Sequence, residues 1–176
     1  VNELLGLPPV AIQRYEKQYW KDFPWTRVQK ARARGKRDLI ASIRDSDISL
    51  FGDFHTFRQS QRSALRLFRE AVKPGETWYL GLEFVPSSKQ KALDDFFLGR
   101  TSLEEFLDDI RYFQDWGFPW DHYAPLLEWA KSNQVQPIAL NLPREIRLSS
   151  ATLRSARHES DLYERDRWAA GIMVDL

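Results

Sequence analysis

The chain has 176 residues, 43% of them hydrophobic and 29% charged, which is typical of one globular domain and excludes a disordered tail or a membrane protein. Its formal net charge is +1, so no global field favours nucleic acid, which we regard as an unlikely partner. Cysteine is absent, which excludes disulfides, thiolate metal sites and a cysteine nucleophile. No run approaches the ~20 apolar residues of a transmembrane helix.

Residues 1–45 are predicted to form a helical, basic N-terminal extension. One helix is expected at about 10–20, after Pro8 and Pro9, since proline is tolerated in the first turn. A second helix is expected at about 25–43. This segment contains many Arg and Lys residues and a single acidic residue, Asp38. Such a run is more typical of a solvated helix face than of a contact with anionic lipid or nucleic acid.

Residues 46–176 alternate between short apolar runs and amphipathic segments. Three strands are predicted, at 47–51, 77–84 and 136–140. Helices are predicted at about 57–72, 86–99, after the capping pair Thr101 and Glu104, from about 121 to 132, and over 149–176. This order predicts an α/β fold, with a parallel-stranded sheet flanked by helices. Because three strands make a thin sheet, we expect this chain to be the N-terminal part of a larger domain.

Polar side chains occur near the C-terminal ends of all three predicted strands. They are Asp53 and His55, then Glu83, then Asn141 and Arg144. A single histidine after a strand is more often structural, but the C-terminal edge of a parallel sheet is where ligands bind. Because all three predicted strands place polar side chains at this one edge, we predict a ligand-binding site there. Glu83 follows a run that looks buried, so its carboxylate is expected to need a partner or a metal.

A second cluster is aromatic and lies between predicted helices. Its members are Tyr112, Phe113, Trp116, Phe118, Trp120, His122 and Tyr123. The cluster is either a plug over one end of the sheet or the wall of a flat apolar pocket. In the second case His and Tyr are candidate haem-iron ligands. Motifs of nucleotide binding and of serine hydrolases are absent from the sequence.

Several of these segments together resemble the ChaN-like haem-binding uptake family. They include Gly52-Asp53-Phe54-His55, Gly81-Leu82-Glu83-Phe84 and Ile138-Ala139-Leu140-Asn141-Leu142-Pro143-Arg144. The resemblance implies a bacterial protein of haem or iron uptake, membrane-associated in the cell envelope, although the residues alone leave the compartment unknown. The family is similar to the Tiki, TraB and erythromycin-esterase proteins, some of which are hydrolases.

Two features depart from that wider pattern. Asp53 stands where Glu is common. The second Gly-x-x-His motif is missing from these residues. Either it lies in a part of the protein that follows them, which we expect, or this protein has lost the metal or hydrolytic chemistry of the superfamily.

Three hypotheses follow from these residues. The first is a haem-binding protein, with Tyr123, His122 or His55 as the iron ligand, Trp120 and Asn141 in the site, and Arg144 or the basic extension at the propionates. The second is a metal-dependent hydrolase or peptidase, with His55 and Glu83 as catalytic or metal-binding residues and Asp53 as a further ligand of a divalent metal. The third is that His55 and Glu83 only brace the sheet edge. We favour haem binding without enzymatic activity, and a homodimer is a further expectation.

Overall fold

A computed structural model describes residues 35–146 and 158–176. Its α-helices and strands are α1 Lys36–Arg44, α2 Arg58–Ala71, β1 Tyr79–Pro86, α3 Gln90–Phe97, α4 Leu103–Asp109, α5 Tyr112–Asp115, α6 Ala124–Ser132, β2 Gln136–Asn141 and α7 His158–Val174. Single 3-10 turns occur at Ser87–Lys89 and Trp120–His122. The fold is α/β, as predicted. The helix predicted at 10–20 and the first part of the one predicted at 25–43 lie outside the described residues.

The sheet of the described residues has two parallel strands, β1 and β2, and the predicted strand at 47–51 is wrong. Residues 48–54 instead have an irregular backbone. An apolar run becomes a strand only if a neighbouring strand pairs with its backbone groups. Ile48 and Leu50 are 50% and 81% exposed, so this run is not the buried strand that its composition suggested.

The described residues fall into two compact units, one that ends at Leu140 and one that starts at Asn141. The first contains the core, which β1 and the helices around it share. Along β1 the buried side chains are Leu80, Leu82 and Phe84, in the period of two expected of a strand with one face inside. Glu83 is consequently on the exposed face, and the prediction that it lies in buried surroundings is wrong.

Helix α2 is amphipathic and supports the first unit from one side. Ala64, Leu65 and Ala71 are buried on its inner face, and both α1 and α6 pack against it. Ion pairs of Lys36 with Glu70 and of Arg44 with Glu76 secure α1 and the end of α2 at the surface. The boundary of α2 agrees with the predicted helix at 57–72 within a residue.

The cap of α4 differs by one residue from the prediction. Ser102, not Thr101, is the N-cap, and its hydroxyl accepts from the backbone N–H of Glu105. The Glu105 carboxylate accepts from the backbone N–H of Ser102 at 2.7 Å, which completes the capping box. Thr101 with Glu104 and Ser102 with Glu105 both have the spacing of a capping box. Which pair forms it depends on the residue at which the helix begins.

Gln90, at the start of α3, ties that helix to β2. Its side-chain amide donates to the Pro137 carbonyl at 2.9 Å and to Asp94 at 2.8 Å. Its amide oxygen accepts from the Ala139 backbone N–H at 2.7 Å. The backbone groups of 137 and 139 point to the same edge of β2, so this edge is the one opposite to β1.

In the part of the chain that the structure describes, no helix is long and apolar enough to cross a membrane.

Candidate functional site

Asp53 is the centre of a hydrogen-bonded cluster in the loop that precedes α2. One carboxylate oxygen, Oδ2, lies 2.9 Å from Nδ1 of His55. The other, Oδ1, accepts from the side-chain amide of Gln61 at 2.6 Å. Gln61 is on the buried face of α2 and is 5% exposed. Helix α2 therefore fixes the Asp53 carboxylate through Gln61, and this carboxylate in turn fixes the imidazole ring of His55.

Tyr123 adds a third hydrogen bond to the same carboxylate. Its hydroxyl donates to Asp53 Oδ2 at 3.0 Å and lies 3.3 Å from His55 Nδ1. Tyr123 is 5% exposed. Burial raises the pKa of the Tyr123 hydroxyl well above its usual range, and the negative charge of Asp53 raises it further. The phenol is therefore held in its protonated form.

The contact with Asp53 determines which nitrogen of His55 carries the proton. An ionised carboxylate only accepts hydrogen bonds, so Nδ1 is the protonated nitrogen in neutral His55 and Nε2 keeps its lone pair. Within residues 35–146 and 163–176, Nε2 has no hydrogen-bond partner. The His55 side chain is 28% exposed, so Nε2 is the atom of this cluster best suited to bind a ligand.

Two aromatic rings flank the imidazole of His55. The Trp116 and Phe118 ring centroids lie 4.4 and 4.7 Å from the His55 centroid. Both rings come from the predicted aromatic cluster, and both are half-buried. They restrict rotation of the imidazole and give its surroundings an apolar character.

His122 lies next to this cluster and is oriented in a similar way. Its Nδ1 is 3.2 Å from the backbone carbonyl of His55. A carbonyl oxygen only accepts, so Nδ1 of His122 donates the hydrogen bond and its Nε2 keeps the lone pair when the ring is neutral. The structure thus brings together four predicted site residues: Asp53, His55, His122 and Tyr123.

Trp120 has a different environment. Its ring packs edge-on against Phe84 and Tyr112, with centroid distances of 6.1 and 5.4 Å. These contacts make it part of the core, as the plug interpretation of the aromatic cluster predicts. Trp116 and Phe118 also pack against the core, and they differ from Tyr112 and Trp120 in that they border His55 as well.

The remaining predicted residues are not part of the described hydrogen-bonded cluster. Glu83 lies on the exposed face of β1. Asn141 ends β2 and Arg144 follows it, both in the second compact unit. Among the described side chains, no group of three or more His, Asp or Glu could hold a metal ion. The trio of Asp53, His55 and Glu83 predicted as metal ligands does not form such a group there.

Gln61 contributes to the resemblance to the ChaN-like family, but the sequence predicts no role in a site for it. It is eight residues from Asp53 and looks like an ordinary polar residue in the first turns of a helix. One signal was present: its position, three before Ala64 and four before Leu65, places it on the apolar face of an amphipathic helix. A polar residue on such a face needs a hydrogen-bond partner.

Comparison with known proteins gives one match. The model of a family described as haem-binding uptake, Tiki superfamily, ChaN matches residues 39–163. No curated protein and no solved structure matches the chain.

Proposed function

The chain belongs to the haem-binding uptake family of the Tiki superfamily, ChaN, and on this basis we propose that it binds haem for uptake, with His55 as the ligand of the iron. The observation that carries the proposal is the hydrogen bond from His55 to Asp53, 2.9 Å long. A carboxylate behind a histidine fixes the tautomer and the ring orientation, and it makes the other nitrogen a better metal ligand.

The three candidate ligands differ in how accessible their ligand atoms are. Tyr123 would have to bind iron as a phenolate, but its hydroxyl is buried, donates to Asp53 and has a raised pKa. His122 is half-buried and keeps an imidazole lone pair. His55 combines partial exposure with an orienting carboxylate, which favours it over both.

The surroundings of His55 suit a flat apolar molecule. Trp116 and Phe118 border the imidazole. Phe54 and Phe57, on either side of His55 in the chain, are 78% and 60% exposed. Pockets for small molecules are lined mainly by apolar and aromatic side chains with a few polar groups that fix orientation. The donor set and its aromatic border therefore fit haem.

Each residue has a defined part in this proposal. Haem, when bound, would supply an iron centre. His55 would hold it through the Nε2 lone pair, while Asp53 keeps the proton on Nδ1 and Gln61 and Tyr123 hold the carboxylate in place. Arg144 and Asn141 as contacts of the propionates, a homodimer, and association with the bacterial membrane stay predictions.

The hydrolase alternative has less support. A catalytic zinc site typically has three protein ligands, and the described residues contain no such group. Glu83 as a catalytic residue stays a prediction, which rests on its position near the end of a strand and on the resemblance.

A haemin titration followed by visible absorbance tests the proposal. The wild-type chain is compared with His55→Ala, His122→Ala and Tyr123→Phe. His158→Ala is the matched control, because it removes the remaining one of the three histidines. We expect a saturable, shifted Soret band that only His55→Ala abolishes or strongly weakens. If the wild-type protein gives no saturable shift, haem binding is refuted, and a band lost only in His122→Ala or Tyr123→Phe refutes His55 as the ligand.

A further inference from the structure

Helix α2 presents a row of four arginines on its exposed side, beside the buried face that carries Gln61. Arg58, Arg62, Arg66 and Arg69 follow one another at intervals of four, four and three residues, and all four are exposed. This spacing keeps them on one side of a helix. At a rise of 1.5 Å per residue the row is about 16 Å long.

The arginine row forms one wall of a groove. The groove has a volume of about 570 Å³, and Gln59, Leu65 and Pro125 complete its lining. Pro125 belongs to the first turn of α6, which packs against α2. The lining thus contains four cationic groups, one amide and two apolar contacts, and no carboxylate.

The positive charge of the row is poorly neutralised. Arg58 approaches Asp121 at 3.8 Å, which is a weak and exposed ion pair. Arg62, Arg66 and Arg69 have no carboxylate partner among residues 35–146 and 163–176. The one acid on the helix, Glu70, pairs with Lys36 on α1. Like charges four residues apart destabilise a helix by about 0.2–0.5 kcal/mol per pair, so the row works against the stability of α2.

General basicity does not account for this concentration of charge, because the whole chain has a net charge of only +1. All four residues are arginine. The planar guanidinium group binds two oxygens of a phosphate at once, which the compact ammonium group of lysine cannot do. An elongated row of such groups matches an anion with several phosphates better than a single carboxylate.

We propose that the groove between α2 and the start of α6 is a binding site for a phosphate-bearing polyanion, held by the arginine row. This site is distinct from the cluster around His55, since none of the residues that line the groove belongs to that cluster. The phosphates come either from a soluble polyphosphate compound or from the headgroups of a lipid.

Calorimetric titration with inorganic tripolyphosphate tests the proposal with the full chain. We expect saturable binding that weakens as salt is added. The double variant Arg62→Gln/Arg66→Gln should raise the Kd at least about tenfold, since two charge-assisted contacts are lost. Arg37→Gln/Arg100→Gln is the matched control, because it removes the same charge from exposed positions outside the groove. Thermal unfolding of both variants reports whether they fold.

Vesicle sedimentation distinguishes the two sources of phosphate. Binding to phosphatidylglycerol vesicles but not to phosphatidylcholine vesicles, lost in the groove variant and kept in the control, assigns the site to a lipid headgroup. Tripolyphosphate binding without vesicle binding assigns it to a soluble anion. If the folded wild-type protein binds neither probe, or if both double variants lose binding equally, the proposal is refuted. Neither result depends on whether the protein binds haem.

Discussion

The carboxylate of Asp53 and the imidazole of His55 form a pair in which the carboxylate determines the position of the imidazole proton. Their atoms Oδ2 and Nδ1 are 2.9 Å apart, and Gln61 and Tyr123 hold the carboxylate from two further directions. Asp53 and His55 are two residues apart in the loop, and this separation allows their side chains to form a hydrogen bond. The sequence motif Gly52-Asp53-Phe54-His55 thus encodes an oriented histidine rather than two independent ligands.

We predict that Asp53→Asn weakens haem binding by about 10- to 100-fold, the usual effect of losing such a supporting contact. The asparagine amide can donate to Nδ1, which would move the proton to Nε2 and remove the lone pair that binds iron. Soret titration measures the effect. Asp109→Asn is the control, since Asp109 is an exposed acid of the same unit. Unchanged affinity in Asp53→Asn would contradict the role given to the carboxylate.

Tyr123→Phe is expected to keep haem binding and to lower stability. The substitution removes the hydroxyl that donates to Asp53 at 3.0 Å, and a buried hydrogen bond of this kind contributes about 1–2 kcal/mol. Urea denaturation measures the loss in the free energy of unfolding. If the Soret band is lost in Tyr123→Phe but kept in His55→Ala, tyrosine coordination replaces the proposed histidine coordination.

Leu93→Ala should destabilise the protein by about 2–5 kcal/mol, because a cavity replaces a fully packed side chain. Leu93 is 0% exposed and lies on the inner face of α3. Leu98, just after the same helix, is 63% exposed. Leu98→Ala is therefore the matched control, with an expected change within about 0.5 kcal/mol. Equal losses for the two variants would contradict the assigned core.

Removal of the Glu76 carboxylate should have an effect that depends on pH. The hydrogen bond from Arg44, 2.9 Å long, and a second one from the Trp78 indole lower the pKa of Glu76 to about 2 from the ordinary 4.5. A lowered pKa contributes stability that is fully present above pH 4.5 and is lost as the pH falls towards 2.

Glu76→Gln is therefore expected to melt at a slightly lower temperature than the wild type at pH 7. The difference should shrink as the pH falls towards 2, where about half of the wild-type carboxylate is protonated. Thermal melts at several pH values measure the difference. A gap that is as large at pH 2 as at pH 7 would mean that the carboxylate charge is not its cause.

The sequence predicts most of the helices and the two paired strands because their patterns are local. It does not predict the short helix α5, and the helix predicted at 25–43 is interrupted at Gly35, where α1 is capped. The buried positions of β1 alternate, and those of α2 recur every three to four residues, so both periods can be read directly. The run at 47–51 has the composition of a strand, but pairing depends on a distant neighbour, which no local pattern reports. Glu83 was predicted to be buried because its neighbours in the sequence are apolar. Its side chain lies on the exposed face of β1, whereas Leu82 and Phe84 lie on the buried face.

The site was predictable in part. Asp53 and His55 were recognisable as a short polar motif, and His122 and Tyr123 as polar members of an aromatic cluster. Their contact joins residues about 70 positions apart, so it depends on tertiary packing. The arginine row was not predicted, because arginines at a spacing of four, four and three residues are equally typical of the solvated face of a helix.

The amide of Gln90 has a consequence for how the sheet can grow. It occupies the Pro137 carbonyl and the Ala139 N–H, the same pair of groups that one residue of an incoming parallel strand would use. An additional strand, whether from the same polypeptide or from another molecule, would have to displace this side chain in order to pair here. Gln90 thus protects β2 against edge-to-edge aggregation together with Pro137, which has no N–H to offer on the same edge.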